Sequence, residues 1–151
     1  MQMPQGLQSE NNNQPENQTR DTQHGTKPEG DVSMRTIAMP RDTNANGDIF
    51  GGWLMSEMDL AGANHANRFS GGRVVTVAVE SMTFIKPVNI GDEVTCYTKL
   101  CKKGRTSLKI KVEAWVARAV TRELEKVTEG MFTFVAIDKN KNKRALPDMQ
   151  G

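Results

Sequence analysis

Cysteine is nearly absent from this chain: Cys96 and Cys101 are the only two in 151 residues, too few for a disulfide framework. Both fall in one stretch that reads as a strand. An odd interval there turns them to opposite faces, so free thiols in a reducing compartment are expected. Histidine is as scarce, with His24 and His65 alone, and no zinc or iron ligand set can be drawn from them. Neither charge sign dominates, with 20 basic residues against 18 acidic. That balance lacks the large basic excess that marks duplex-wrapping proteins, and no nucleic-acid partner is expected. No apolar run approaches the roughly 18 to 20 residues of a membrane span, and the N-terminus has no charged-then-apolar leader pattern. A soluble, cytoplasmic protein with no membrane partner is the expectation. A Gly-x-Ser-x-Gly elbow, a Walker loop and a dinucleotide fingerprint are missing as well.

What is present divides the chain in three. Residues 1–31 are rich in Gln, Asn, Glu, Thr and Pro and hold no aromatic residue. Such a segment cannot bury enough surface to offset its conformational entropy, so a disordered polar tail is expected. Residues 32–147 alternate apolar and polar positions and fit one domain, leaving 148–151 as a short C-terminal tail.

Within the domain, a strand over 32–39 ends at Pro40, where a backbone donor is lost. A run of turn formers follows over 41–48. Leu54, Met58, Ala61 and His65 then recur three or four apart, which predicts a helix over 51–69 stopped by Gly71 and Gly72. Four strands follow, over 73–86, 93–103, 106–117 and 126–138. In the third of these Leu108, Ile110, Val112, Ala114 and Val116 share one face, and Lys109, Lys111 and Glu113 share the face turned to water or a partner. The expected class is α+β, one long helix against one face of a curled antiparallel sheet of about five strands. One helix covers little of so much sheet, and the edge strands invite a second copy, so a dimer is the expected minimum.

Asp59 stands in the most apolar part of the helix, and none of its neighbours one turn away is a lysine or arginine able to pair with it. A desolvated carboxylate suits general-base work; a solvent-facing or turn-bonded aspartate is the bland alternative. Glu57 lies roughly 200° around the axis, so the two acids cannot share a site. In the preceding loop Asn44, Asn46 and Asp48 could orient a water, and backbone donors at Gly51 and Gly52 could hold an oxyanion. Asx turns and a helix cap explain the same residues without chemistry. Lys103, Gly104, Arg105, Thr106 and Ser107 form a hairpin tip able to hold phosphates, though solvated lysines are ordinary there. Lys139, Lys141, Lys143 and Arg144 add charge near the C-terminus, and His65 reads as a helix-surface or interface residue.

The stretch Arg35-Thr-Ile-Ala-Met-Pro-Arg-Asp-Thr-Asn-Ala-Asn-Gly-Asp-Ile-Phe-Gly-Gly-Trp-Leu-Met-Ser-Glu-Met-Asp59 resembles the YciA-like bacterial acyl-CoA thioesterases. The likeness continues through Gly72-Arg-Val-Val-Thr-Val77, Thr83-Phe-Ile-Lys-Pro87, Gly104-Arg-Thr-Ser107 and Arg144-Ala-Leu-Pro147. The resemblance implies a hotdog fold, a helix wrapped by an antiparallel sheet, paired into dimers and commonly into trimers of dimers. It implies hydrolysis of acyl-CoA without a cofactor, with Asp59 as general base or nucleophile. It also implies Asn44, contributed by the partner subunit, as the loop asparagine, with Asn46 and Asp48 close by. Residues 103–107 would contact the nucleotide phosphates of coenzyme A. A non-catalytic acyl-CoA-binding protein and a hotdog hydratase or dehydratase are the rival readings. The latter typically needs a catalytic histidine, and the loop before the helix has none.

Overall fold

The computed structural model describes residues 27–148, so the expectations for 1–26 and 149–151 lie outside the described residues. Strand β1 spans Asp31–Ile37, ending two residues short of the expected 39, and a 3-10 turn follows at Pro40–Asp42. Proline fixes its own φ and carries no N–H, so a turn rather than a ladder begins there. Helix α1 covers Gly51–Ser70, and the remaining strands are β2 Val74–Phe84, β3 Glu93–Lys103, β4 Ser107–Ala117 and β5 Leu124–Ala136. Each follows its stretch of alternation closely. The chain is already held at Glu29, inside the stretch expected as tail, because the Glu29 N–H donates to Glu113 at 2.7 Å.

The five strands form one antiparallel sheet in the order β1-β3-β4-β5-β2. Strands β3, β4 and β5 are the hairpin-connected centre. Strand β2, first after the helix, crosses to the far edge and pairs with β5. One helix lying on one face of this sheet is the hotdog arrangement.

The helix packs through Leu54, Met58, Ala61, Gly62, His65 and Ala66 onto Val94, Cys96, Leu108, Ile110, Val112, Phe132 and Phe134 of the sheet. Its closest approach is at Gly62, where an added Cβ would stand 2.8 Å from the Phe134 ring and 3.3 Å from Val112. Gly62→Ala is therefore expected to force the helix off the sheet at a cost of about 1 to 3 kcal/mol. Thermal melting reads the effect, and an unchanged midpoint would show that the contact yields freely. The helix ends at Gly71 with φ 68°, a left-handed cap that glycine adopts without a Cβ penalty.

Two expectations from the alternation do not hold. His65 is not on the helix surface: it is buried, its Nδ1 bonds the Thr98 hydroxyl, and it stacks on Phe69 at 4.8 Å. The helical period had put it on the core face with Leu54 and Met58, and the polar side chain is accommodated because Thr98 supplies a partner. Burial, followed by the Arg68 charge, pushes its pKa down and keeps the ring neutral. Glu113 likewise does not face water. It is buried on the far side of the sheet, where Lys126 Nζ meets it at 2.8 Å, an ion pair that permits a carboxylate in such a place.

Candidate active site

The helix begins without a side-chain cap: Phe50 at the N-cap supplies none, and its first turn holds no acidic residue. The Trp53 and Leu54 N–H groups bond back to the Phe50 carbonyl. The N–H groups of Gly51 and Gly52 precede the first intrahelical bonds and meet no acceptor among the described residues, which leaves two donors at the positive end of the helix dipole.

From Gly52 a cavity of about 270 Å³ runs down one flank of the helix to Asp59. Met55, Ser56, Val79, Phe132 and Thr76 complete its lining. Gly52, Met55, Ser56 and Asp59 recur at three, four and seven residues, so one helical stripe forms a whole wall. The opposite wall is β2, and from it the Thr76 hydroxyl donates to Asp59 Oδ1 at 2.6 Å. The carboxylate is thus not wholly without a partner, as the helix alone suggested. This one donor fixes the direction of the carboxylate, and no hydrogen bond to Oδ2 is found among the described residues. Ser56 is occupied elsewhere, donating to the Trp53 carbonyl at 2.7 Å.

Glu57 faces away from this cavity, as the helical angle requires. Its carboxyl is held above the usual carboxylate range by burial and by Asp42. Below it the Cys96 thiol is pushed up to about 12 by burial and by Glu57. Such a thiol is a poor nucleophile at neutral pH. Cys96 is buried and Cys101 exposed, both as free thiols.

The loop before the helix is a built turn. Asn44 Oδ1 accepts the N–H groups of Asn46 at 2.9 Å and Asp48 at 3.1 Å, and the Asn44 N–H bonds the Asp48 carbonyl at 2.7 Å. The carbonyl side of the Asn44 amide is therefore committed to the loop, and its NH₂ has no partner among the described residues. Asn44, Asn46 and Asp48 are exposed, and none lines the Asp59 cavity. Within one chain the fold unites Gly52 with Asp59 and leaves Asn44 apart.

The hairpin of 103–107 lies at the end of the sheet where β2 starts. Leu108 pairs with Phe134 and Phe134 with Thr76, so the tip is displaced by two strand spacings, roughly 10 Å, from the column of Asp59. Much of the hairpin is already engaged. Lys103 Nζ donates to the Pro147 carbonyl at 2.8 Å, the Gly104 N–H donates to the Ser107 carbonyl at 2.8 Å, and the Thr106 carbonyl accepts the Ala136 N–H. The Arg105 side chain is exposed and has no partner among the described residues. Arg144 is structural: its guanidinium donates to the carbonyls of Ser70 at 2.7 Å and Ile137 at 3.0 Å, closing the end of the helix. Among the described residues no three His, Cys, Asp or Glu side chains group to hold a metal ion, and no helix is long and apolar enough to cross a membrane.

Thr76, Met55, Val79 and Phe132 were not singled out by the sequence. Thr76 lies in the Val75-Thr-Val77 alternation, where a hydroxyl between valines was the one available signal.

Comparison with known proteins gives a consistent picture. The thioesterase superfamily model matches residues 46–121. The acyl-CoA thioester hydrolase YciA of Escherichia coli is 53% identical over 123 residues, 80% of this chain and 93% of that one. A hexameric broad-specificity acyl-coenzyme A thioesterase superposes with a TM-score of 0.79 at 54% identity, covering 82% of this chain and 86% of the other. Two structures of an acyl-CoA hydrolase from Staphylococcus aureus, both 26% identical, match with TM-scores of 0.70 and 0.68. They cover 76% of this chain and 68% and 70% of theirs. One carries alanine for an asparagine, with coenzyme A bound; the other carries alanine for an aspartate. The two replaced residues stand as far apart in that chain as Asn44 and Asp59 do here.

Proposed function

The chain belongs to the thioesterase superfamily, and from that premise we propose that it hydrolyses acyl-CoA thioesters to a carboxylic acid and coenzyme A with Asp59 as the catalytic carboxylate. The observation that carries this reading is the cavity joining Asp59 to the uncapped helix start at Gly52. A base on the wall that ends at an uncapped helix start, where Gly51 and Gly52 offer oxyanion donors, is what acyl transfer to water needs.

In the proposed reaction Asp59 Oδ2 takes a proton from a water whose oxygen adds to the thioester carbonyl. The oxyanion that forms is held by the N–H groups of Gly51 and Gly52. Collapse breaks the carbon–sulfur bond and releases the coenzyme A thiolate, which takes up the proton held by Asp59 and returns the carboxylate. A thiol of pKa about 8.5 leaves without strong acid assistance, so neither a catalytic histidine nor a cofactor is called for. The Thr76 O–H aims the carboxylate.

Asn44 of a second subunit supplies the remaining donor. Its side chain is exposed on a loop that its own carbonyl oxygen closes, its NH₂ has no partner among the described residues, and the spacing to Asp59 matches the replaced pair in the staphylococcal enzyme. Asn46 and Asp48 contribute the backbone of that turn. Dimerisation through the edge strand β2 supports this, since Val77 and Val79 are exposed there and the unpaired side of the strand offers a ladder of backbone groups. We extend the assembly to a trimer of dimers by analogy with the hexameric neighbour. The free thiols of Cys96 and Cys101 suit a cytoplasmic setting.

Arg105 is the hairpin cation free to meet the coenzyme A phosphates, with Thr106, Ser107 and the Gly104 backbone around it. Lys103, tied to Pro147, fixes the tip. Arg105→Ala is expected to raise KM for acyl-CoA about tenfold while changing kcat little, the loss of one charge-assisted hydrogen bond. Equal KM in steady-state assays would remove Arg105 from the site.

The test of the whole reading is incubation of the purified protein with acetyl- to decanoyl-CoA and a thiol-reactive dye. Catalytic thiol release is expected; tight binding of acyl-CoA without turnover would instead make the protein an acyl-CoA-binding relative.

A further inference from the structure

The cavity between Gly52 and Asp59 holds one polar side chain to which the reaction above gives no part. Ser56 stands on the same helical stripe as Asp59, one turn nearer the helix start. Its proton is already placed, since the hydroxyl donates to the Trp53 carbonyl at 2.7 Å. A hydroxyl oxygen that donates still has two acceptor sites, and neither receives a donor among the described residues. Met55, Val79 and Phe132, the large side chains around the cavity, are apolar.

The fold does not ask for a serine at this position. A serine bonded back to a carbonyl of the preceding turn competes slightly with the helix, and alanine is the better helix former. Ser56 is also exposed and takes no part in the core.

The reaction geometry gives the hydroxyl a use. Gly52 and Asp59 are seven residues apart, about 10 Å along the helix axis. A hydrogen bond of about 2.9 Å to the carbonyl oxygen, the C=O bond, an approach of about 3 Å by the water and a hydrogen bond from that water to Asp59 fill this length. The water therefore stands level with Ser56, between the helix start and the base. To attack, it must turn a lone pair to the carbonyl carbon, so both its protons point elsewhere. One goes to Asp59; the other needs an acceptor. Thr76 lies at the far end of the cavity, against Asp59 Oδ1, whereas Ser56 is beside the line of approach.

We propose that Ser56 Oγ accepts a hydrogen bond from the second proton of the attacking water and thereby aims the water's lone pair at the thioester carbon. This role rests on the thioesterase reading. In the step, the water oxygen bonds to the carbonyl carbon, one water proton passes to Asp59 Oδ2, and the C=O π electrons move to the oxyanion. The other proton stays on the new hydroxyl, hydrogen-bonded to Ser56, and no covalent bond to Ser56 forms or breaks. With its own proton on a backbone carbonyl, which is no base, Ser56 is not the nucleophile.

The test compares wild type with Ser56→Ala on the best acyl-CoA of the panel, in dilute methanol, with acid and methyl ester resolved as products. Ser56→Ala is expected to lower kcat for hydrolysis about tenfold, the loss of one hydrogen bond made in the transition state, with KM unchanged and the melting temperature not lowered. Methanol has only the one O–H proton that Asp59 takes, so ester formation is expected to continue at the wild-type rate. Undiminished hydrolysis in Ser56→Ala overturns the proposal. So does an equal fall in acid and ester, which would assign the hydroxyl to the carbonyl or to the fold. If neither protein forms ester, the hydrolytic kcat at constant KM decides alone. A wild type that hydrolyses none of the panel defeats the thioesterase reading itself; one whose hydrolysis survives loss of the hydroxyl defeats only the role of Ser56.

Discussion

Asp59→Asn is expected to lower kcat by about a thousandfold, the middle of the range over which general bases act, with melting temperature and assembly unchanged. Asparagine has the same shape, and its Oδ1 still accepts the Thr76 hydroxyl. What disappears is the capacity to take a proton at Oδ2. Because that proton moves only in the transition state, the loss falls on kcat and equally on kcat/KM, leaving KM in place. Full activity in the folded variant would remove Asp59 from the chemistry. The same assay in heavy-oxygen water separates the two routes open to a carboxylate. Under general-base catalysis the first turnover puts solvent oxygen directly into the released acid. Attack by Asp59 itself would form a mixed anhydride, and its hydrolysis at the aspartyl carbonyl leaves solvent oxygen in the enzyme, the outcome that general-base catalysis does not produce.

The second large effect is at Asn44, where two variants separate architecture from chemistry. In Asn44→Ala the loop loses the acceptor for the Asn46 and Asp48 N–H groups, so the turn loosens and activity falls for structural reasons. Asn44→Asp keeps that acceptor and replaces the NH₂ with a carboxylate oxygen that cannot donate. It is expected to lower kcat about a hundredfold, as loss of one preorganised donor does, while the melting temperature stays near wild type. A fully active Asn44→Asp enzyme would reduce Asn44 to a turn former and shift attention to the backbone of Asn46 and Asp48. Mixing impaired Asp59→Asn subunits with impaired Asn44→Asp subunits tests the shared site directly. Hybrid dimers pairing one wild-type Asp59 with one wild-type Asn44 across the interface should regain activity; failure of exchanged mixtures to do so would place both residues in one subunit.

The elements themselves were readable. The period of Leu54, Met58, Ala61 and His65 set the helix, and alternation set β3 and β4 to within a residue. These are local signals, written in the spacing of apolar side chains along a few turns or one strand. The turn at Asn44 was readable for the same reason, because Asx residues close their own loops. Glu113 was misjudged because alternation assigns a face and says nothing about what covers it. Its partner Lys126 comes from the neighbouring strand. The crossing of β2 to the far edge was equally hidden, since strand order depends on which distant ladder is satisfied.

Asp59 shows the division most plainly. The sequence alone determined that an acid stands on an apolar helix, that Glu57 cannot share its flank, and that two glycines open the same helix. Tertiary structure decided what those residues can do. Packing β2 against α1 brings Thr76 onto the carboxylate and closes a cavity from Asp59 to Gly52. The physical reason is range: helix periodicity acts over a few residues, whereas a catalytic cavity exists only where separate elements, each buried for its own apolar face, meet and leave a polar gap between them.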